Sequence, residues 1–266
     1  MSTTLCLGPE GTHSHEAARV LLGKETPLTL VRTFQEIFQR LEDDPAAVAL
    51  VPFENSIEGS VTPILDLLVR HPTIRIARSL AFQVRQNLIV SNDAMPLTAI
   101  QKVYSHPQAL AQCANFLRTN LPAAEWVETP STAAAVAQIA AETNVAAIGS
   151  LAAAELAGLT VSKRNIQDNH ENITRFLLIG QQATAVPTAS KALFHIQLPN
   201  EPGALLRVLQ PFDTVGVNLT SIQSRPVPGQ AFEYGFFVEA DITVELQELM
   251  LNLLNRFANA RVLGRY

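Results

Sequence analysis

The chain has 266 residues, 47% of them apolar and 16% charged, with a formal net charge of −5. That length admits one large or two to three small domains with a sizeable buried core, and the composition excludes a disordered tail. The acidic balance, without a lysine and arginine cluster, excludes a nucleic-acid binder and obliges any anionic ligand to be held by local donors.

From the start to about residue 180, the apolar runs Leu5–Leu7, Leu28–Val31, Val48–Val51 and Val103–Tyr104 alternate with amphipathic helical patterns. Phe34, Ile37, Phe38 and Leu41, for example, recur at helical spacing after Thr33, a good N-cap. Such alternation predicts βαβ units and a mainly parallel sheet. The segment Ile74–Val90 is extended, with no helix between its apolar pieces, and reads as a crossover from a first lobe (1–75) to a second (91–162). Asn165–Gly180 reads as the return, so lobe one also includes 165–180. Two crossings predict a hinged cleft, and ligands prefer such interfaces.

Gln181–Ser190, with Pro187 and small polar residues, reads as a linker. Beyond it, in 191–266, Ala192–Leu198 is a predicted strand and Glu201-Pro202 opens a helix. Val217–Ser224 and Glu233–Ala240 are predicted strands, Val244–Phe257 a helix and Val262-Leu263 a short last strand. That is βαββαβ, the ferredoxin-like order.

Cys6 and Cys113 have no CxxC or Cys/His spacing and read as reduced, buried thiols; the histidines show no metal-ligand spacing. No basic-then-apolar segment opens the chain, and Gln138, Glu142, Asn144 and Glu155 interrupt the Ala133–Ala157 stretch. Neither a secretory signal nor a membrane span is expected, which leaves the cytoplasm as the expected location.

The run Asn172-Ile173-Thr174-Arg175-Phe176 puts a hydroxyl, a permanent cation and an aromatic ring at a strand start. Neighbouring side chains on a strand point to opposite faces, so Thr174 and Phe176 share one side and Arg175 takes the other. By itself the triplet is ordinary β-propensity with one charge. Glu54-Asn55-Ser56, read as a loop after an apolar strand, is by itself an ordinary turn; its functional reading is a pair of neutral donors with Gly59 allowing close backbone approach. Ser14, Ser105 or His106 before Pro107, and Ser131-Thr132 after Pro130 stand between a strand and a helix, where caps and anion sites both occur.

Taken in order, Gly8-Pro9-Glu10-Gly11-Thr12-His13-Ser14, Val51 to Val61, Ser105 to Leu110, Asn165 to Asp168 and Thr174-Arg175-Phe176 resemble the prephenate dehydratase family across essentially the whole chain. Gly203-Ala204-Leu205-Leu206 and Ser224-Arg225-Pro226 resemble its ACT regulatory domain. The resemblance implies a bilobal α/β catalytic domain, similar to type II periplasmic binding proteins, at 1–180, and an ACT domain at 191–266. It implies decarboxylative dehydration of prephenate to phenylpyruvate, driven by aromatisation without cofactor or metal. Thr174 would donate to the departing hydroxyl, Phe176 would wall the pocket, and Asn55, Ser56, Ser105, His106 and Ser14 would surround the substrate.

Stabilising a carboxylate that is about to leave as carbon dioxide would slow the reaction. Arg175 is therefore expected either to clamp the pyruvyl carboxylate or to act structurally, while neutral donors meet the departing group. Gly203, Ala204, Leu205, Asn218, Leu219, Gln223, Ser224 and Arg225 resemble an amino-acid pocket formed between two subunits, which implies phenylalanine as effector and self-association. This chain departs from the family pattern at His13, usually aromatic, and at Gln223, usually glutamate. The dehydratase motifs begin at Leu7, so no upstream chorismate mutase domain is expected. Arogenate dehydratase and a non-catalytic small-anion binder are the alternatives; the intact Thr174-Arg175-Phe176 and Glu54-Asn55-Ser56 motifs favour the enzyme.

Overall fold

A computed structural model describes residues 3–92, 95–186, 188–227 and 233–266; residues 93 and 94 of the predicted lobe two and Pro187 of the predicted linker lie outside them. Lobe one opens with β1 (Thr4–Leu7), α1 (His13–Leu22), β2 (Leu28–Val31), α2 (Phe34–Asp43), β3 (Val48–Asn55), β4 (Gly59–Ser60), α3 (Thr62–Arg70) and β5 (Arg75–Gln83). Thr33 caps α2 by accepting from Glu36 N, which aims Ile37, Phe38 and Leu41 into the core. Each such buried side chain contributes about 1.5–3 kcal/mol.

Lobe two holds β6 (Asn87–Val90), β7 (Lys102–Ser105), α4 (Pro107–Gln112), α5 (Ala114–Asn120), β8 (Glu125–Glu128), α6 (Thr132–Ile139), β9 (Val145–Gly149), α7 (Leu151–Ala157) and β10 (Thr160–Lys163). The chain then returns to lobe one as β11 (Ile173–Gly180), antiparallel between β3 and β5. The sheets are therefore mixed rather than mainly parallel: β1 pairs parallel with β2 and β3, whereas β6 runs antiparallel to β9 and β10. Both crossings supply strands that enter against the βαβ direction. The first crossing also begins later than expected, because β5 completes lobe one by pairing with β11 as far as Gln83. The two crossings bond to each other: Val84 N donates to Asn172 O (2.8 Å) and Ile166 N to Gln86 O (2.8 Å).

The last part is β12 (Lys191–Gln197), α8 (Ala204–Val215), β13 (Leu219–Pro226), β14 (Tyr234–Asp241), α9 (Val244–Leu254) and β15 (Asn259–Arg265), the expected βαββαβ order. Its helix starts at Ala204 rather than at Glu201-Pro202, with Gly203 as N-cap in the left-handed region at φ 79°. Its sheet, ordered β13-β14-β12-β15, continues through β5 into lobe one. The join is Gly264 beside Ile76; a Cβ at Gly264 would collide with the Ile76 backbone, so only glycine permits this approach. Leu193, Phe237, Leu263 and Tyr266 pack into the core of lobe one, so the joint between the two units is apolar as well as hydrogen-bonded.

Candidate active site

A cleft of about 510 Å³ is lined by the loops between β1 and α1 and after β3, by the starts of α4 and α6, and by β11. Thr174 and Phe176 both face it, as strand alternation requires. Thr174 is 9% exposed and its Oγ1 accepts from Asn55 Nδ2 at 2.9 Å. Glu54 and Asn55 are the last residues of β3 rather than loop residues, because pairing with Arg175 and Thr174 of β11 extends the strand beyond its apolar run. Asn55 Oδ1 in turn accepts from the N–H groups of Ile57 (3.0 Å) and Glu58 (3.1 Å). Those two main-chain donors determine which end of the amide faces Thr174. A hydroxyl that accepts from Asn55 keeps its own hydrogen for another partner, and the open direction is the cleft.

His106 also lines the cleft; its Nδ1 caps α4 by accepting from Gln108 N at 3.3 Å. Ser14 lines the cleft from within α1, whose cap is Thr12, not Ser14. Ser131 caps α6 by accepting from Ala134 N, and the first residues of α1 and α6 line the same space; helix starts are a setting suited to anionic groups.

Three sequence-predicted residues are placed elsewhere. Ser105 is fully buried and donates to Ile148 O at 2.8 Å, tying β7 to β9 beneath the cleft. Ser56 donates to Glu171 O (2.9 Å) and accepts from Ile173 N (3.0 Å), which clips the turn after β3 to the returning chain. Arg175 does not line the cleft. Its position between Thr174 and Phe176 sends the guanidinium to the opposite face, where it donates to Glu54 Oε2 (2.7 Å) and Glu239 Oε2 (2.5 Å) and lies 5.0 Å from the Phe53 ring. Gly59 has φ 83° and nothing near a would-be Cβ, so it serves the turn and not a close approach.

Glu239 belongs to β14 and is 3% exposed; Thr220 (2.5 Å) and Tyr266 (2.7 Å) donate to it as well. Burial raises its pKa, but these hydroxyls and Arg175 outweigh burial and hold the carboxyl below its ordinary value. Burial likewise opposes the charge on Arg175, and Glu239, Tyr266 and Glu54 overcome it, raising its pKa. Gln223 borders this cluster, and Arg225 binds Asp66 of α3 through Nε (3.1 Å) and a terminal nitrogen (2.7 Å). Both residues, expected in an effector pocket, are thus turned towards lobe one. Asn218 donates to Asp241 at 2.9 Å.

Sequence reading assigned no role to Gln86, Gln112 and Asn172, yet all line the cleft and bond across it. No sequence signal singled out Gln86, which stands between Arg85 and Asn87 in a crossing rich in polar residues; only the fold shows it to be buried, at 3% exposed. The Asn165–Asp168 motif supports the crossing: Gln167 Oε1 accepts from Gln86 N (3.0 Å), and Asp168 accepts from Asn115 N (3.1 Å) near the start of α5. Among the described residues lining the cleft there is no lysine or arginine; Glu58, His13 and His106 are its titratable groups. Among the described residues no His/Cys/Asp/Glu group could hold a metal ion, and no helix is long and apolar enough to cross a membrane. Cys6 and Cys113 are free and buried, with burial pushing the Cys6 thiol up to about 12.

The family model for prephenate dehydratase matches residues 4–184 and that for the ACT domain residues 194–251. A bifunctional chorismate mutase/prephenate dehydratase of Aquifex aeolicus is 34% identical over 98% of this chain and 72% of its own length. A prephenate dehydratase of Methanocaldococcus jannaschii is 32% identical over 97% and 95% of the two chains. Among solved structures, prephenate dehydratase from Arthrobacter aurescens in complex with L-Phe is 30% identical, with a TM-score of 0.89 over 100% of this chain and 89% of that one.

Proposed function

The chain belongs to the prephenate dehydratase family, and on that premise we propose that it converts prephenate to phenylpyruvate, water and carbon dioxide, as a carbon–oxygen lyase regulated by L-phenylalanine. One observation carries the reading: the Thr174 hydroxyl accepts from an Asn55 amide whose orientation two main-chain N–H groups determine, so its hydrogen is free for the cleft. The C–O bond of the ring hydroxyl breaks as Thr174 donates to the departing oxygen, which leaves as water. The C–C bond to the ring carboxylate breaks in the same direction, its electron pair completes the aromatic ring, and carbon dioxide departs. Solvent returns the proton to Thr174. A positioned acid of this kind contributes about 10²–10⁴-fold.

The neutral lining supports the same chemistry. A fixed cation on the ring carboxylate would stabilise the ground state and lose its partner in the transition state. Amide donors and helix N–H groups hold an anion without that penalty. The ACT unit and the L-Phe complex of the Arthrobacter relative support phenylalanine as effector. Among the described strands β13 ends the sheet, with Ile222 exposed, which suits self-association in the cytoplasm.

The test is phenylpyruvate formation from prephenate by purified protein, with and without phenylalanine, alongside Thr174→Ala. Turnover that Thr174→Ala abolishes supports the reading. No turnover from folded wild type, with arogenate turned over instead, moves the substrate to the amino analogue; binding without turnover of either leaves an anion-binding protein.

A further inference from the structure

A ladder of side-chain amides runs from Thr174 to a histidine contributed by α1, and its direction is determined at both ends. Because Asn55 Oδ1 is held by main-chain donors, Asn55 Nδ2 donates to Asn172 Oδ1 at 2.7 Å as well as to Thr174. Asn172 must then donate through Nδ2, to Gln112 Oε1 at 3.1 Å, and Gln86 Nε2 reaches the same oxygen at 3.3 Å. Gln86 Oε1 is left facing His13 Nε2 at 3.1 Å, so that nitrogen must carry a proton. The other ring nitrogen, Nδ1, lies 3.4 Å from Glu16 Oε2. A neutral imidazole has one donor and one acceptor nitrogen. With Nε2–H determined by the ladder, a neutral ring would direct its Nδ1 lone pair at a carboxylate. Only the imidazolium satisfies both neighbours.

Asn172 and Gln86 are buried, at 1% and 3% exposed, while Gln112 and Asn55 are half-buried, and the rungs come from both crossings and from α4 of lobe two. In such surroundings hydrogen bonds in series reinforce one another. We propose that His13, as an imidazolium, is a positioning residue for Thr174: it anchors the far end of the ladder and holds the two lobes in the arrangement in which Asn55 and Thr174 are aligned. This rests on the dehydratase reading above. Without the Nδ1 proton the ring keeps its Nε2–H bond to Gln86 but sets an Nδ1 lone pair against the Glu16 carboxylate, which loosens the anchor. Other charged or titratable groups near this arrangement include Arg19 and His15 on α1, Glu10, which lies 3.9 Å from His15, Arg85 and Glu171 beside the rungs Gln86 and Asn172, Asp168, whose N–H donates to Gln112 O at 2.7 Å, and, on the cleft, His106 and Glu58.

The experiment is the pH profile of kcat for wild type, His13→Gln and Glu16→Gln, with ¹⁵N NMR of the histidine rings. Wild type is expected to lose about three- to tenfold in kcat as pH rises, the worth of one hydrogen bond. His13→Gln retains a donor to Gln86 that does not titrate and is expected to remove that decline. Glu16→Gln removes the carboxylate that favours the second proton and is expected to move the decline to lower pH. A decline unchanged in both variants overturns the proposal and assigns it to His106 or to substrate. If wild type turns over no prephenate, the dehydratase reading fails, while NMR still decides the ring state. A neutral His13 ring protonated at Nδ1 overturns the ladder's polarity.

Discussion

On one face of β11, Thr174 and Phe176 look into a cleft of neutral amides, helix starts and open space; on the other, Arg175 is held between Glu54 and Glu239, with Tyr266 and Thr220 behind them. On the proposed reaction the first face meets a substrate whose charge disappears, and neutral donors already in position suit that without a strong ground-state ion pair. The second face joins the catalytic lobe to the ACT unit, where opposite charges paired around the buried Glu239 specify one geometry. Thr174 and Arg175 are consecutive residues. A displacement of β14 that pulls on Glu239 is therefore felt one peptide from the candidate acid. Allostery needs such a physical link together with an effector that distinguishes two states.

The sharpest way to separate the faces is Thr174→Ala, expected to lower kcat about 10²–10⁴-fold while the thermal transition stays within a degree or two of wild type. Next in size is Arg175→Met. It leaves Glu239 buried without its guanidinium and is expected to destabilise by about 3 kcal/mol in denaturant unfolding. Its kcat/KM, read well below the transition, should change less than tenfold; a thousandfold loss with unchanged stability would return Arg175 to the substrate. The same cluster sets a pH dependence. The Glu239 carboxyl is held below its ordinary value of 4.5, so its stabilisation is complete above that pH and is lost as pH falls through the lower folded value. Arg175→Met should flatten that acid limb of the unfolding midpoint.

A smaller effect is expected from Asn55→Asp. One carboxylate oxygen still accepts from Ile57 and Glu58, but the other faces Asn172 Oδ1 and draws the Thr174 hydrogen towards itself. The expected result is a kcat about 10–30-fold lower, the size of a buried polar mismatch, with KM nearly unchanged; an unaltered kcat would refute the account of Asn55. Smallest is Asp66→Asn against Arg225. Both side chains are nearly one-third exposed, so about 0.5–1 kcal/mol is expected in denaturant unfolding, shrinking at high salt.

Periodicity made α2, the helices of the last unit and most strands legible. Phe34, Ile37, Phe38 and Leu41 behind the Thr33 cap form α2 because local capping and an apolar stripe agree. Alternation alone put Thr174 and Phe176 on one side and Arg175 on the other, and the apolar–extended–apolar crossing at Ile74–Val90 marked two lobes. Sequence was misleading where a residue type suits two uses. Ser14, Ser56 and Ser105 all read as cleft hydroxyls, yet only Ser14 lines the cleft, because a serine bonds a nearby backbone as readily as a ligand.

What the sequence determined by itself was the alternation of apolar strands and amphipathic helices, the two-unit order and the family, because these follow from local spacing and from motifs read along the chain; β8, β9, β10, α5 and α7 were not read from it. What only the tertiary structure decided was pairing across distance. Arg175 meets Glu239, Arg225 meets Asp66, and His13 reaches Asn55 through Gln86, Gln112 and Asn172, each pair far apart in sequence. Hydrogen bonds and ion pairs act over about 3 Å and leave no periodic trace along a chain. Such partners become visible only when the sheet and the two crossings bring them together.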